Sequence, residues 1–175
     1  LHWLISDFDA EVSLIGGMSN TLWFKTDRDA PNGKLISVHF DSENPKWSVV
    51  LPEQQNILRS ADIVGGKITC SWLEDASSKA TVHSLLGNLL YEVKLPGIGT
   101  ASGFNGDAKD KTVYWSYSSY NQPPSIYSLD LEDGATTLCW ESEVPIDLSS
   151  IVVRREFVKS TDGALVPLFI VASKD

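Results

Sequence analysis

Ser37-Val38-His39-Phe40, Val82-His83-Ser84-Leu85 and Ser128-Leu129-Asp130-Leu131 repeat one pattern, and their last residues stand 45 and 46 positions apart. A second set of positions gives nearly the same period: the aromatic residues Phe24, Trp72 and Tyr117 are separated by 48 and 45 residues. A fixed period within about 20 to 50 residues marks a repeat architecture and decides the fold class more strongly than any local signal.

Working outward from these stretches, short runs rich in β-branched and aromatic residues alternate with turn-forming clusters, and helical periodicity is nearly absent. The runs predict twelve strands, at 11–15, 21–26, 34–40, 47–51, 57–64, 67–73, 80–85, 89–95, 100–104, 112–120, 125–131 and 136–141. Gly16-Gly17, Asp29-Ala30-Pro31-Asn32-Gly33, Asn44-Pro45, Gly65-Gly66, Gly87-Asn88, Asn105-Gly106-Asp107, Pro123-Pro124 and Asp133-Gly134 supply the expected turns. Four strands per period of about 45 residues is the arithmetic of a β-propeller blade, so residues 1–145 are expected to form three blades.

Side-chain alternation agrees. Ile36, Val38 and Phe40 share one face of their strand and Leu35, Ser37 and His39 the other, and Tyr127, Leu129 and Leu131 oppose Ile126, Ser128 and Asp130. Neither strand has a wholly polar face, as expected where a sheet is sandwiched between two others. The six Trp, five Tyr and six Phe are therefore read first as filling between sheets. After Pro145 the pattern changes. Ile146-Asp147-Leu148-Ser149-Ser150 reads as a connector, and 151–159 with 164–173 as a β-hairpin around Ser160-Thr161-Asp162-Gly163.

Composition narrows the function. The chain has 175 residues, 42% of them hydrophobic and 21% charged, enough to bury a core. Fourteen Lys and Arg against twenty-three Asp and Glu give a formal charge of -9, which repels a phosphate backbone, so no nucleic-acid partner is expected. No apolar run approaches the roughly 18 residues needed to cross a bilayer, and Leu1 to Phe8 lack the form of a secretion signal, so no membrane partner is expected. Cys70 and Cys139 are too few for a disulfide framework, and no Asn-x-Ser/Thr acceptor occurs. A cytoplasmic location fits. The start at Leu1 rather than Met is that expected of a piece of something longer.

No residue is assigned a catalytic, substrate-binding, cofactor-binding or metal-binding role. The Gly-x-Ser-x-Gly elbow that exposes a hydrolase nucleophile is missing; Gly17-Met18-Ser19-Asn20-Thr21 and Ala101-Ser102-Gly103 are its nearest fragments and read as turn serines. His2, His39 and His83 each stand apart from any ligand-like partner, and His39 and His83 fall in predicted strands, where a hydrogen-bonded structural histidine is expected. Gly97-Ile98-Gly99-Thr100-Ala101-Ser102 carries two glycines of a dinucleotide fingerprint without the third or a following helix, so no cofactor is expected. Asp7, Asp9 and Glu11, then Asp27 and Asp29, then Glu141 and Glu143, provide carboxylates near turns and read as solvated surface rather than an acid and base pair.

The run from Arg154-Arg155-Glu156-Phe157 through Ser160-Thr161-Asp162-Gly163-Ala164-Leu165-Val166-Pro167-Leu168-Phe169-Ile170-Val171 resembles the segment with which prolyl oligopeptidases leave their propeller and enter the catalytic domain. Leu22-Trp23-Phe24-Lys25-Thr26, the Pro31-Asn32 turn with Lys34-Leu35-Ile36, Pro52-Glu53, and Ser125-Ile126-Tyr127-Ser128-Leu129-Asp130-Leu131 are similar to that family's blade sequence in the same order. The resemblance implies a cytosolic serine endopeptidase cleaving short peptides after proline, with a seven-bladed propeller over an α/β-hydrolase domain. Residues 1–145 would be its last three blades, and 146–175 the connector and first hairpin of the peptidase domain. The family's Ser, Asp and His would lie beyond Asp175, and its substrate-touching propeller residues before Leu1. The implied partners are proline-containing peptides, held by the missing peptidase domain, and the rest of the propeller and hydrolase domain. The blades themselves would act as a size-selecting lid. The alternative is a stand-alone propeller-type module for protein or peptide interaction without enzymatic activity.

Overall fold

The computed structural model describes residues 9–41 and 44–174. Among them are fourteen strands and no helix, arranged as three four-stranded antiparallel sheets and one two-stranded sheet. The first blade comprises β1 (Val12–Met18), β2 (Thr21–Thr26), β3 (Lys34–Phe40) and β4 (Pro45–Leu51). The second comprises β5 (Ile57–Val64), β6 (Lys67–Glu74), β7 (Ser77–Ser84) and β8 (Leu89–Glu92). The third comprises β9 (Thr100–Asn105), β10 (Thr112–Ser119), β11 (Gln122–Asp130) and β12 (Thr136–Glu141). β13 (Ile151–Lys159) and β14 (Leu165–Ser173) pair as the final hairpin.

Each blade is a meander in which sequential strands are spatial neighbours. The first strands touch across blades, β1 with β5 and β5 with β9, and so lie innermost. The fourth strands β4, β8 and β12 carry mostly exposed residues and form the rim.

Two hydrophobic seams hold the blades together. Between the first and second blades, Ile15, Trp23, Leu35 and Leu51 pack with Leu58, Ile63, Ile68, Cys70 and Trp72. Between the second and third, Val64, Ala80, Val82 and Val93 meet Ala101, Phe104, Val113, Trp115, Tyr117, Leu129 and Leu131. The second blade is thus buried on both faces, as its near-continuous apolar runs require. Phe24, Trp72 and Tyr117, the residues that carry the repeat, are all buried. Trp72 and Tyr117 face the preceding blade, and Phe24 points to the corresponding side of the first blade, away from the seam.

The two outer faces differ in chemistry. On the first blade, Leu14, Phe24, Ile36 and Val49 lie directly opposite one another across four strands and form an apolar face, with Leu14 60% and Val49 59% exposed. On the third, Ser102, Ser116, Ile126 and Trp140 align across the sheet, with Tyr114 and Ser128 one step along, giving a face lined largely by hydroxyls.

The twelve blade strands and the hairpin match the expected strands closely, with three corrections. Gly16-Gly17 is not a turn but lies within β1, beside a register shift after Leu14, and the chain reverses at Ser19-Asn20. Gly16 serves close approach: a Cβ there would stand 2.9 Å from Ile63 Cβ on the neighbouring inner strand. Pro123-Pro124 lies within β11, and the reversal is the two-residue turn Tyr120-Asn121. The ladder jumps from Ser119 opposite Gln122 to Tyr117 opposite Ser125, so the prolines occupy a bulge where no ladder donor is needed. Finally, β7 begins at Ser77 rather than at Ala80, because Asp75 and Ala76 turn the chain with φ of 47 and 61° and no glycine or proline to announce it. The expectations resting on Leu1 to Phe8, His2 and Asp7 among them, lie outside the described residues.

Candidate functional site

In every blade the second and third strands are joined at the same end, by residues 27–33, by Asp75-Ala76 and by Tyr120-Asn121. The connectors 52–56, 93–99 and 142–150 reach the same end, since each strand reverses the direction of the last. The β13–β14 hairpin docks there through three contacts. Arg155 on β13 donates from Nη1 to the carbonyls of Glu74 (3.3 Å) and Asp75 (3.2 Å) and to Ser77 Oγ (3.0 Å). Asn121 Nδ2 donates to the Ile151 carbonyl at 3.0 Å. The rings of Tyr120 and Phe169 meet with centroids 6.1 Å apart.

The receiving turn is electrostatically organised. Glu74 Oε1 accepts from Asn56 Nδ2 (2.7 Å) and Lys79 Nζ (3.2 Å), and Lys79 also pairs with Glu92 at 3.2 Å. Burial pushes the Glu74 carboxyl up, but the hydrogen bonds from Asn56 and Lys79 and the charges of Lys79 and Arg155 outweigh it and hold it below its ordinary value. Burial likewise pulls Lys79 down and is outweighed by Glu92 and Glu74, leaving its ammonium more firmly protonated. At neutral pH the end of the second blade is therefore a fixed array of charges.

Two open clefts flank the hairpin. One of 340 Å³ is lined by Ala76, Ser77, Ile98, Gly99, Tyr120 and Phe169 among others, at the junction of two blades with the hairpin. A larger one of 840 Å³ lies between the connector and the rim of the third blade, where Gln122, Glu141, Ile146 and Lys174 contribute.

The other residues weighed from sequence have local hydrogen-bond or ion-pair partners. His83 is buried in β7, where Nε2 meets Thr81 Oγ1 at 2.9 Å and Nδ1 meets the Gly87 carbonyl at 3.2 Å. His39 pairs with Thr21 Oγ1 across β2 and β3. Ser19 is in a hairpin turn, and Ser102 exchanges a hydrogen bond with Ser116 on the adjoining strand. Asp9 pairs with Arg28, Asp27 accepts the Glu11 amide at 2.7 Å, and Glu141 accepts from Ser125 at 3.3 Å. Gly97 and Gly99 lie in the loop before β9, where the Gly99 carbonyl accepts the Ser78 amide. Among the described residues no group of three His, Cys, Asp or Glu is placed to hold a metal ion, and no helix is long and apolar enough to cross a membrane. Arg155 was legible only as part of a resembling stretch: its receptors are mainly backbone carbonyls some 80 residues away, which no local pattern announces.

Comparison with known proteins agrees with this architecture. The family described as prolyl oligopeptidase, N-terminal β-propeller domain, matches residues 2–142. The prolyl endopeptidases of Elizabethkingia miricola and Elizabethkingia meningoseptica are 30% and 31% identical to the chain, each over 95% of it. The chain spans 24% of the length of each. A solved structure from a study of two prolyl endopeptidases superposes with a TM-score of 0.85 at 30% identity, covering 98% of this chain and 26% of the other. Prolyl oligopeptidase B from Galerina marginata shares the fold with a TM-score of 0.88 at 21% identity, over 99% of this chain and 26% of its own. With three stacked blades, a docked hairpin and the match to its propeller domain, the chain belongs to the prolyl oligopeptidase family.

Proposed function

We propose that this chain works as part of a larger serine endopeptidase that cleaves short peptides after proline in the cytoplasm. Residues 1–145 are the last three blades of its seven-bladed propeller, and residues 146–175 the connector and opening hairpin of its α/β-hydrolase domain. In this reading the Ser, Asp and His come from sequence that follows Asp175, and the 175 residues contribute no catalytic, substrate-binding or metal-binding group and need no cofactor. Peptides reach the chain only through the peptidase domain, and its own partners are the remaining blades and that domain.

The observation that carries this reading is the hairpin. β13 and β14 are joined to the blades at one end only, through Arg155, Asn121 and the Tyr120–Phe169 contact. Leu165, Leu168, Phe157 and Val171 remain exposed on it, as suits strands that continue into a further layer. A free-standing interaction module has no use for such an appendage. The blades contribute sterically: a ring of packed sheets over a hydrolase site admits thin flexible chains and excludes folded proteins and bulk water.

The test compares the 175-residue chain with the full-length polypeptide on a chromogenic Gly-Pro substrate. Turnover is expected only from the full-length protein, with a preference for short peptides. Turnover that tracks the purified 175-residue chain, or none from the full-length protein, overturns the reading.

A further inference from the structure

We infer that Arg155 is the positioning residue that sets the angle at which the β13–β14 hairpin, and with it the domain it opens, stands on the propeller; the second half of that statement rests on the peptidase reading above. The link 142–150 does not set this angle by itself, since it contains no strand or helix and most of its residues are exposed. Direction must come from side-chain contacts, and those lie on two blades.

On the second blade, the receptor for Arg155 is built from groups that cannot rotate away. Asp75 and Ala76 both adopt left-handed backbone conformations, with φ of 47 and 61°. In that turn the carbonyls of Glu74 and Asp75 both come within 3.3 Å of one guanidinium nitrogen. Ser77 Oγ donates to the Glu74 carbonyl at 3.0 Å and so offers its lone pair to Arg155. The Asp75 carboxylate stands 3.8 Å from Nη2. The turn is braced from behind by Asn56 and Lys79 through Glu74. A planar guanidinium meeting a rigid receptor of this kind fixes orientation as well as distance.

The Arg155 side chain is itself held, with its guanidinium carbon 5.7 Å from the Phe157 ring centroid on the same strand. The second point is on the third blade, where Asn121 grips the Ile151 carbonyl and Tyr120 meets Phe169. Two anchors on different blades define a fixed tilt, whereas either alone leaves a pivot.

The experiment uses the full-length polypeptide with Arg155→Ala, Arg155→Lys and Ser77→Ala. Hydrogen exchange is followed at residues 74–77 and 151–155, with β2 and β3 as the distant reference, together with the ratio of kcat/KM for a short over a long proline peptide. Because Arg155→Ala removes several charge-assisted hydrogen bonds, exchange at both segments is expected to rise about tenfold or more, unchanged at β2 and β3, and the preference for short peptides to fall. Arg155→Lys and Ser77→Ala, which keep part of the receptor contact, are expected to give a rise of about threefold, and they carry the test should Arg155→Ala not fold. Unchanged exchange in all variants that fold overturns the role of Arg155, whatever the activity. Accelerated exchange with the short-peptide preference intact confines Arg155 to local stability and overturns its role in domain angle. A full-length protein without peptidase activity whose exchange responds as expected removes the peptidase reading and upholds the docking of the hairpin by Arg155.

Discussion

The two seams of this molecule solve one problem differently. Both bury tryptophan between sheets, but the seam between the first and second blades satisfies its indole N–H groups and the seam between the second and third does not. Trp23 Nε1 donates to the Leu85 carbonyl at 3.2 Å across the seam, and Trp72 Nε1 donates to Thr81 Oγ1 at 2.7 Å, the first step of a chain running on to His83 and the Gly87 carbonyl. Trp115 stacks between Phe104, with centroids 5.2 Å apart, and Tyr127 at 4.6 Å, and its Nε1 has no partner among the described residues. Both seams contain aliphatic side chains with polar connections across them, the second through Thr69 Oγ1 to the Phe104 carbonyl at 2.6 Å and Tyr91 OH to the Leu131 carbonyl at 3.0 Å, so the difference lies in the indoles: paired in the first seam, stacked but unpaired at Trp115 in the second. Wherever an indole N–H is paired, removing it orphans a neighbour; where it is not, removal discards a cost.

That contrast can be broken by substitution, with urea denaturation of the 175-residue chain as the measurement. The largest effect is expected for Trp115→Ala, which removes the centre of the aromatic stack and costs about 3 to 5 kcal/mol. A loss below 1 kcal/mol would show that the second seam does not depend on its stack. Gly87→Ala should follow at about 2 to 3 kcal/mol, because Gly87 has a φ of 86° and a Cβ would collide with the Val50 carbonyl of the first blade. Trp72→Phe is expected to cost about 1 to 2 kcal/mol, since Thr81 loses its donor within a buried chain. Trp115→Phe keeps an aromatic ring in the stack and disposes of the orphaned N–H, so it should fall within about 1 kcal/mol of neutral. Equal costs for the two Trp→Phe changes would erase the distinction between the seams.

The smallest effect concerns pH and the first seam alone. Burial holds the His83 imidazole below its ordinary value, only partly offset by its hydrogen bond to the Gly87 carbonyl. With Nδ1–H given to that carbonyl, Nε2 accepts from Thr81, so the folded chain prefers neutral His83. A depressed folded value means that this contribution is complete above the unfolded imidazole value of about 6.5 and declines as pH falls from there through the folded value. His83→Gln should flatten that limb of the stability profile; an unaltered acid limb would show that His83 does not govern it.

Strand positions were legible because period-two alternation and turn residues agree over most of the chain. The failures share a cause. Gly16-Gly17 and Pro123-Pro124 resemble turn punctuation, yet they meet needs arising from other strands, close approach to Ile63 in one case and a bulge opposite β10 in the other. Asp75-Ala76 turns the chain without a turn-forming glycine because its geometry is sustained by Ser77 and by Arg155, 80 residues away. The candidate site was less legible than the fold. A resemblance pointed to the stretch around Arg155, but the receptor exists only once three strands and a turn have assembled.

The unlike outer faces of the first and third blades have a consequence for how such an array can grow. The first blade presents an apolar face and the third a face of serine hydroxyls beside the exposed Tyr114 and Trp140, so the two ends of the row differ like the tongue and the groove of a floorboard. A neighbour shaped to fit one end would not fit the other.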